Sequence, residues 1–357
     1  MKKSKSFLLG LLLIFSFIAN AQDEKVNDKK LFNKITLEGK WGKISGLMFG
    51  DYYDVIDQNH EEYKELNGFW FRRIYFTYEN KLSKTITVRL RLELASSGDF
   101  NAESEAILPL VKDAYLKWRF KPNHELLVGI SESPTWRTVE KTWGHRFLEK
   151  TPLDLQKWGS SRDFGIGVRG NITSNGKLKY YFMLGNGSGN KTEVNKGKKL
   201  LSSITWFPID KLIFEVYGDW NDNTGHTDWI TGQIFGAYKG PKFVLGMQYA
   251  IQDRLGEMQD NTFHIFSSFA TYKLNNKWGL VGRIDRNFDP NPKGESISYI
   301  PFNDTASNIF YVFGVDFKPW KNVTFTPNIE VVSYDENNVG ITPGNDVYGR
   351  ITFYWKF

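Results

Sequence analysis

From residue 41 to the C-terminus, apolar and polar positions alternate with a period of two, segment after segment. In 84–96, Ile86, Val88, Leu90, Leu92 and Leu94 share one face, while Thr85, Thr87, Arg89, Arg91 and Glu93 share the other. In 110–120, Ala114, Leu116, Trp118 and Phe120 oppose Asp113, Tyr115, Lys117 and Arg119. This period is that of strands with one apolar and one polar face. Sixteen segments fit it: 41–54, 68–80, 84–96, 110–120, 124–131, 162–172, 177–185, 200–208, 211–220, 228–238, 242–252, 262–272, 277–287, 306–317, 322–333 and 346–357. Those at 200–208, 228–238 and 262–272 are weakly patterned. The last ends on an aromatic residue, with Val347, Ile351, Phe353, Trp355 and Phe357 on one face and Tyr348, Arg350, Thr352, Tyr354 and Lys356 on the other.

Connections between the segments alternate in length. Tight turns at 81–83, 121–123, 173–176, 208–210, 239–241, 275–276 and 318–320 are interleaved with longer polar links at 55–67, 97–109, 132–161, 186–199, 221–227, 253–261, 288–305 and 334–345. An even number of strands with short and long connections in strict alternation predicts an all-β fold: a 16-stranded antiparallel transmembrane β-barrel with short periplasmic turns and long external loops. The last strand should close on the first, near 41–54, with Arg350, Thr352 and Lys356 facing water. Sixteen strands leave an aqueous lumen, so passage depends on what narrows it.

Composition agrees with such a wall. Aromatic residues make up 16% of a chain whose mean hydropathy is only −0.42. That combination suits strands with one wet face and aromatic girdles at the interfaces. After residue 21 no run approaches the ~20 apolar residues of a membrane helix. Residues 1–21 read as a secretory signal peptide: Lys2, Lys3 and Lys5, an apolar run from Phe7 to Ile18, and the small-residue site Ala19-Asn20-Ala21. Residues 22–40 would form a polar periplasmic lead, and 41–357 the barrel. Cleavage would lower the formal charge from +6 to +3. Without a basic block, that excess gives no reason to expect nucleic acid. The chain has no cysteine, which excludes disulfides and thiolate metal sites.

The longest link, 132–161, contains Pro134, Trp136, Trp143 and Trp158, too apolar a set for a free external loop. It is expected to fold inward as the constriction. Its bases (Arg137, Lys141, Arg146, Lys150, Lys157) outnumber its acids (Glu132, Glu140, Glu149, Asp154) by one. An enzyme is not expected. The histidines His60, His124, His145, His226 and His264 are scattered, and no HExxH or GxSxG motif occurs. No cofactor or metal is implied. A barrel hydrolase would have to use Ser160 or Ser161 with His145.

Several stretches in order along the chain resemble the phosphate-selective porins O and P of outer membranes. They are Gly68-Phe-Trp-Phe-Arg72-Arg73-Ile-Tyr75, Lys112-Asp113-Ala-Tyr115, Arg146-Phe-Leu-Glu149, Lys157-Trp-Gly-Ser160-Ser161-Arg-Asp, Gly165-Ile-Gly-Val-Arg169-Gly170 and Leu184-Gly-Asn186-Gly187. The similarity is strong over 68–190 and continues beyond only as strand rhythm. The resemblance implies an outer-membrane porin of a Gram-negative bacterium that passes small hydrophilic solutes, with phosphate or other small anions preferred. It also implies a homotrimer seated in outer-membrane lipid; separately, a last strand ending on Phe357 resembles the signal read by the bacterial barrel-insertion machinery. The family resemblance carries an oxyanion site over to Arg72, Arg73, Tyr75, Lys157, Ser160, Ser161 and Arg169, with Asp113 either setting the anion's protonation or pairing with Arg73. Arginine offers a planar fork to phosphate oxygens, and hydroxyls replace lost water.

Strict alternation puts Arg72 on the lipid side, so either a bulge turns it inward or it reaches to the interface. Glu79, Glu93, Glu125, Asp163, Glu215, Asp219, Asp285, Asp316 and Glu330 also map to the inner face, which weakens a purely cationic funnel. The competing reading is a non-conducting barrel, plugged by 132–161, acting as a surface adhesin or barrel enzyme.

Overall fold

The computed structural model describes residues 37–39, 42–102, 106–223, 227–256 and 260–357. The expected signal peptide, and the lead apart from 37–39, lie outside the described residues. Sixteen antiparallel strands form the barrel: β1 (Gly42–Asp57), β2 (Asn67–Lys81), β3 (Ile86–Ala95), β4 (Leu108–Lys121), β5 (His124–Glu132), β6 (Arg162–Asn171), β7 (Leu178–Gly185) and β8 (Lys199–Trp206). They continue as β9 (Leu212–Asn223), β10 (Thr227–Lys239), β11 (Phe243–Arg254), β12 (Asn261–Lys273), β13 (Trp278–Asn287), β14 (Asn308–Trp320), β15 (Val323–Tyr334) and β16 (Asp346–Lys356). Each strand pairs with the next, and β16 pairs with β1, so the sheet has no free edge.

Alternation sorts the side chains as the pattern predicts. Phe182, Leu184, Leu200, Val216, Ile234 and Met247 are exposed on the outer wall, while Thr77, Gln233, Gln248, Ser267 and Thr326 are buried inside. At the seam, the rings of Phe357 and Phe353 lie over Gly46 and Gly50 on the outer face of β1. A Cβ at either glycine would come within 3 Å of a ring atom. Gly46 and Phe357 also exchange two backbone hydrogen bonds of 3.0 Å.

Two β-bulges bring adjacent charged residues inward together. On β2, Phe49 pairs with Arg73 and Gly50 with Phe71, leaving Arg72 as the extra residue. On β4, Arg91 pairs with Asp113 and Leu92 with Val111, leaving Lys112. Of the two options for Arg72, the bulge operates, and the side chain is buried inside the barrel. Another irregularity, between Phe317 and Trp320, lets β14 run through Pro319. The expected turn at 318–320 therefore sits at 321–322 instead, because a proline at a bulge needs no ladder hydrogen bond.

The long connection folds into the lumen as expected. Ser133 closes its base, its N–H donating to the Ser161 carbonyl (3.1 Å) and its hydroxyl to the Ser160 carbonyl (2.8 Å). Helix α1 (Pro134–Trp143) starts with proline in its first turn and stops at Gly144, which adopts φ +70°. A short helix α2 (Pro152–Leu155) follows. Trp136, Val139 and Trp143 on α1 are buried against the inner wall, Trp136 edge-on to Tyr217 and Trp143 edge-on to Phe269. This contact explains the weak patterning of 200–208 and 262–272. Leu201, Phe263, Ile265 and Phe269 point inward but meet the loop instead of water, so both faces of those strands are apolar. The expectation that Arg350 and Thr352 face water is also corrected: Arg350 bonds Glu330 and the Tyr299 carbonyl, and Thr352 bonds Asp51 and Asn328. Both point inward, yet both are fully buried; only Lys356 is exposed.

Candidate functional site

The inward loop is anchored to the wall at points around much of the circumference. Thr135 donates to Glu215 of β9 (3.0 Å), and His145 bonds Asp316 of β14 (2.9 Å). Arg283 of β13 donates to the Lys150 carbonyl, and Gln252 of β11 to the Trp158 carbonyl (2.7 Å). The strongest tie is ionic. Arg72 bonds Asp51, the Leu148 carbonyl and Glu149 (2.8 Å), and Glu330 lies 3.6 Å away. Arg350 completes the group against Glu330 at 2.9 Å. All five charged side chains are at most 3% exposed, so each depends on the others for the solvation that water does not supply. Burial alone would raise the Glu149 pKa, but Arg72 and Lys150 hold it below the usual carboxylate range.

The eight residues carried over by resemblance have different partners in the lumen. Arg72 is the structural anchor just described. Arg73 pairs with Glu93 (2.9 Å) and donates to the Tyr299 hydroxyl (3.2 Å). Tyr75 and Ser161 line one cavity, and Arg169 lines another. Asp113 pairs with Arg162 (2.5 Å), Arg89 (3.0 Å) and Arg91 (3.6 Å) rather than with Arg73. Lys157, at a left-handed φ of +57°, binds the Ser296 carbonyl and its hydroxyl (2.9 Å), tying the inward loop to the 288–307 connection. The Ser160 carbonyl serves the loop base. The two ring nitrogens of His145 are taken by Asp316 and the Trp143 carbonyl, which leaves neither to activate Ser160 or Ser161.

Most of the suspected inner-face acids are matched by bases, whereas Glu215 accepts hydrogen bonds from Thr135 and Thr205, and Asp163 from the N–H groups of Phe164 and Gly187. Glu125 pairs with Arg169 (3.0 Å), Glu93 also with Lys112 (3.1 Å), Asp219 with Lys199 (3.1 Å), and Asp285 with Arg283.

The unbalanced charge lies at the short-turn end. Two cavities open there, separated by the C-terminal end of α1. The larger, about 1000 Å³, lies against β4–β9 and has eight cationic side chains in its lining but one carboxylate, Glu125. Lys84, Arg119, Lys121, Lys179 and Lys239 come from the turns or strand ends around it. The smaller, about 540 Å³, lies between loop residues 140–147 and the strands β1–β4 and β14–β16. It too has eight cationic side chains and one carboxylate, Glu140. Lys141 lines both. Its pKa is lowered by burial and by the neighbouring Arg137, the mark of a crowded positive field. Of the small cavity's cations, Lys112, Arg146 and the lysines Lys318, Lys321 and Lys356 had no place among the expected site residues. The available signal was positional: lysines recur at the short turns, at 81, 84, 121, 239, 318 and 321.

Lys150 adds a titratable charge on the loop itself. Burial pushes its pKa down to about 8, helped by Arg73 and Arg146 and opposed by Asp154. It is therefore charged below pH 8 and neutral above it, where an ordinary lysine stays charged to 10.5. Raising the pH from 7 to 9 should remove one positive charge beside Arg73 and reduce any preference for chloride over potassium. Lys150→Met should flatten that pH dependence; reversal potentials at the two pH values check it.

No protein-family model matches the sequence, and no curated protein is similar to it. Solved structures are similar in fold. Salmonella typhi OmpF in complex with daunomycin superposes with a TM-score of 0.66 at 11% identity, over 90% of this chain and 100% of that one. An anion-selective porin from Comamonas acidovorans gives 0.64 at 10% identity, over 88% and 98%. The fold is that of a porin barrel. The outer membrane channel DcaP of Acinetobacter baumannii gives 0.60 at 12% identity, over 88% and 96%. At these identities the porin likeness concerns the fold, and the function rests on the chain's own residues.

Proposed function

We propose that the protein is an outer-membrane porin through which small hydrophilic solutes diffuse, with anions preferred. The observation that carries this reading is the pair of cationic cavities at the short-turn mouth, joined at Lys141 and nearly devoid of carboxylates. A low-dielectric wall focuses such a field and raises the local concentration of anions. The anion preference is assigned mainly to this periplasmic vestibule. At the constriction, Arg73 and Arg169 are already paired with acids, and Tyr75 and Ser161 supply hydrogen-bonding groups that can replace hydration. Similarity in fold to an anion-selective porin supports the same reading. Phosphate is one candidate among small anions. The wall and seam fit a barrel in outer-membrane lipid, inserted by way of Phe357, and a trimer is the assembly usual for this fold.

The test is a planar bilayer with a KCl gradient. The expected outcome is an open channel whose reversal potential has the sign of chloride preference. Cation preference would refute the assignment. A barrel silent in every salt would instead favour the plugged, adhesin-like reading, because Trp136, Trp143 and Trp158 fill part of the lumen.

A further inference from the structure

The smaller cavity has a second character besides charge. Its lining includes Tyr75 and Tyr354, both half-buried, backed by Phe49, Phe147 and Leu47. The Phe147 and Tyr354 rings are 5.0 Å apart and tilted by 37°, and Phe49 and Tyr75 are 6.4 Å apart. Arg91, Lys112 and Arg162 stand beside this aromatic wall, and Lys318, Lys321 and Lys356 stand at the mouth. The bases deeper inside are ion-paired: Lys112 with Glu93 and Arg162 with Asp113. At the mouth, no carboxylate partner is seen for Lys321 or Lys356 among the described residues.

Arg91 lies over the Tyr75 ring at 5.2 Å, and an inorganic anion would use the lysines but not the accessible part of the Tyr354 ring. A flat apolar body bearing one carboxylate would use both. The cavity, about 540 Å³, is within the usual range for small-molecule sites. We infer that this cavity is a binding site for organic anions with an aromatic body, held by the carboxylate at Lys321 and Lys356 and by the ring against Tyr354. The inference deepens the porin reading and rests on it, since it names a class of solute for the same lumen.

Benzoate and acetate carry the same charge and differ in the ring. Each is added to the short-turn side of bilayers holding the full-length wild-type barrel, and block of the chloride current is titrated. Benzoate should reach half-block at a concentration roughly fivefold lower than acetate, the size of one added aromatic contact. Tyr354→Ser should shrink that ratio to about twofold or less, and Tyr354→Phe should retain it. Equal block by the two anions in the wild type would overturn the inference, whether or not the variants fold. So would a Tyr354→Ser barrel that keeps the full benzoate advantage. Reversal potentials from the same membranes separate the two levels. Cation preference sinks the anion-porin reading itself, whereas anion preference without a benzoate advantage sinks only this site.

Discussion

Arg72→Met will loosen the middle of the inward loop and destabilise the barrel by roughly 3–5 kcal/mol, the usual cost of removing one partner from a buried ion pair. The substitution keeps much of the side-chain volume but leaves Asp51 and Glu330 with Arg350 as their only ion-pair partner, and Glu149 with the weaker support of Lys150 and Arg146. With the Arg72 guanidinium gone, the three buried carboxylates keep too little positive charge around them to stay ionised without water. The least costly response is for residues 148–149 to leave the wall and let water in. Two readouts should move together: the midpoint of denaturant or thermal unfolding falls, and single-channel conductance rises and becomes noisier. Adding Glu149→Gln should recover part of the stability, because one of the stranded charges is removed, while the conductance stays raised for want of the anchor. If Arg72→Met changes neither stability nor conductance, the loop is held by its other ties and Arg72 is not its anchor.

The second large effect is on selectivity. Replacing Lys141, Lys318, Lys321 and Lys356 together by glutamate should turn a chloride-preferring channel into a potassium-preferring one. The expected change in the permeability ratio is on the order of tenfold or more at low salt. These side chains lie at the mouth or on the divider between the cavities, and Lys318 has only a 3.3 Å contact with Asp316 to lose. The cost in stability should therefore be small. At about 1 M KCl, where charges are screened beyond roughly 3 Å, the difference between variant and wild type should largely vanish. An unchanged reversal potential at low salt would mean that the vestibule does not govern selectivity. The same four substitutions, made in pairs, would tell whether Lys141 on the divider outweighs the lysines at the rim.

The number of strands, their order and the alternation of turn lengths were readable because lipid imposes one rule on every outer position. Phe182 and Leu184, or Val216 and Ile234, can only be apolar, and that keeps the period visible. The inner face obeys no single rule. Where α1 covers it, Leu201 and Phe269 are apolar; where water or ion pairs meet it, Gln233 and Glu93 are polar. The weakly patterned strands are those whose inner neighbours come from distant sequence.

The site was less legible for a related reason. The Arg72-Arg73 doublet breaks the period of two, which hints at a bulge, but only the fold tells which arginine is spent on Asp51 and Glu149 and which lies beside Tyr75. Resemblance singled out Lys157 as an anion ligand, yet its ammonium is engaged by Ser296, 139 positions away in the chain. The vestibule lysines come from separate turns, so their convergence is a property of closure that no local motif encodes.

The glycines beneath Phe353 and Phe357 bear on how closure finds its register. A shift of β16 by one residue would turn its aromatic face into the lumen. A shift by two would keep the faces but bring the rings of Phe353 and Phe357 over outward side chains such as Met48, Tyr52 or Ile44 instead of Gly50 and Gly46. Among alignments within two residues of the native one, no other brings both rings over bare backbone. The seam thus works as a vernier, in which two marks must coincide before the last strand can seat, and misaligned closures are rejected by bulk rather than by lost hydrogen bonds.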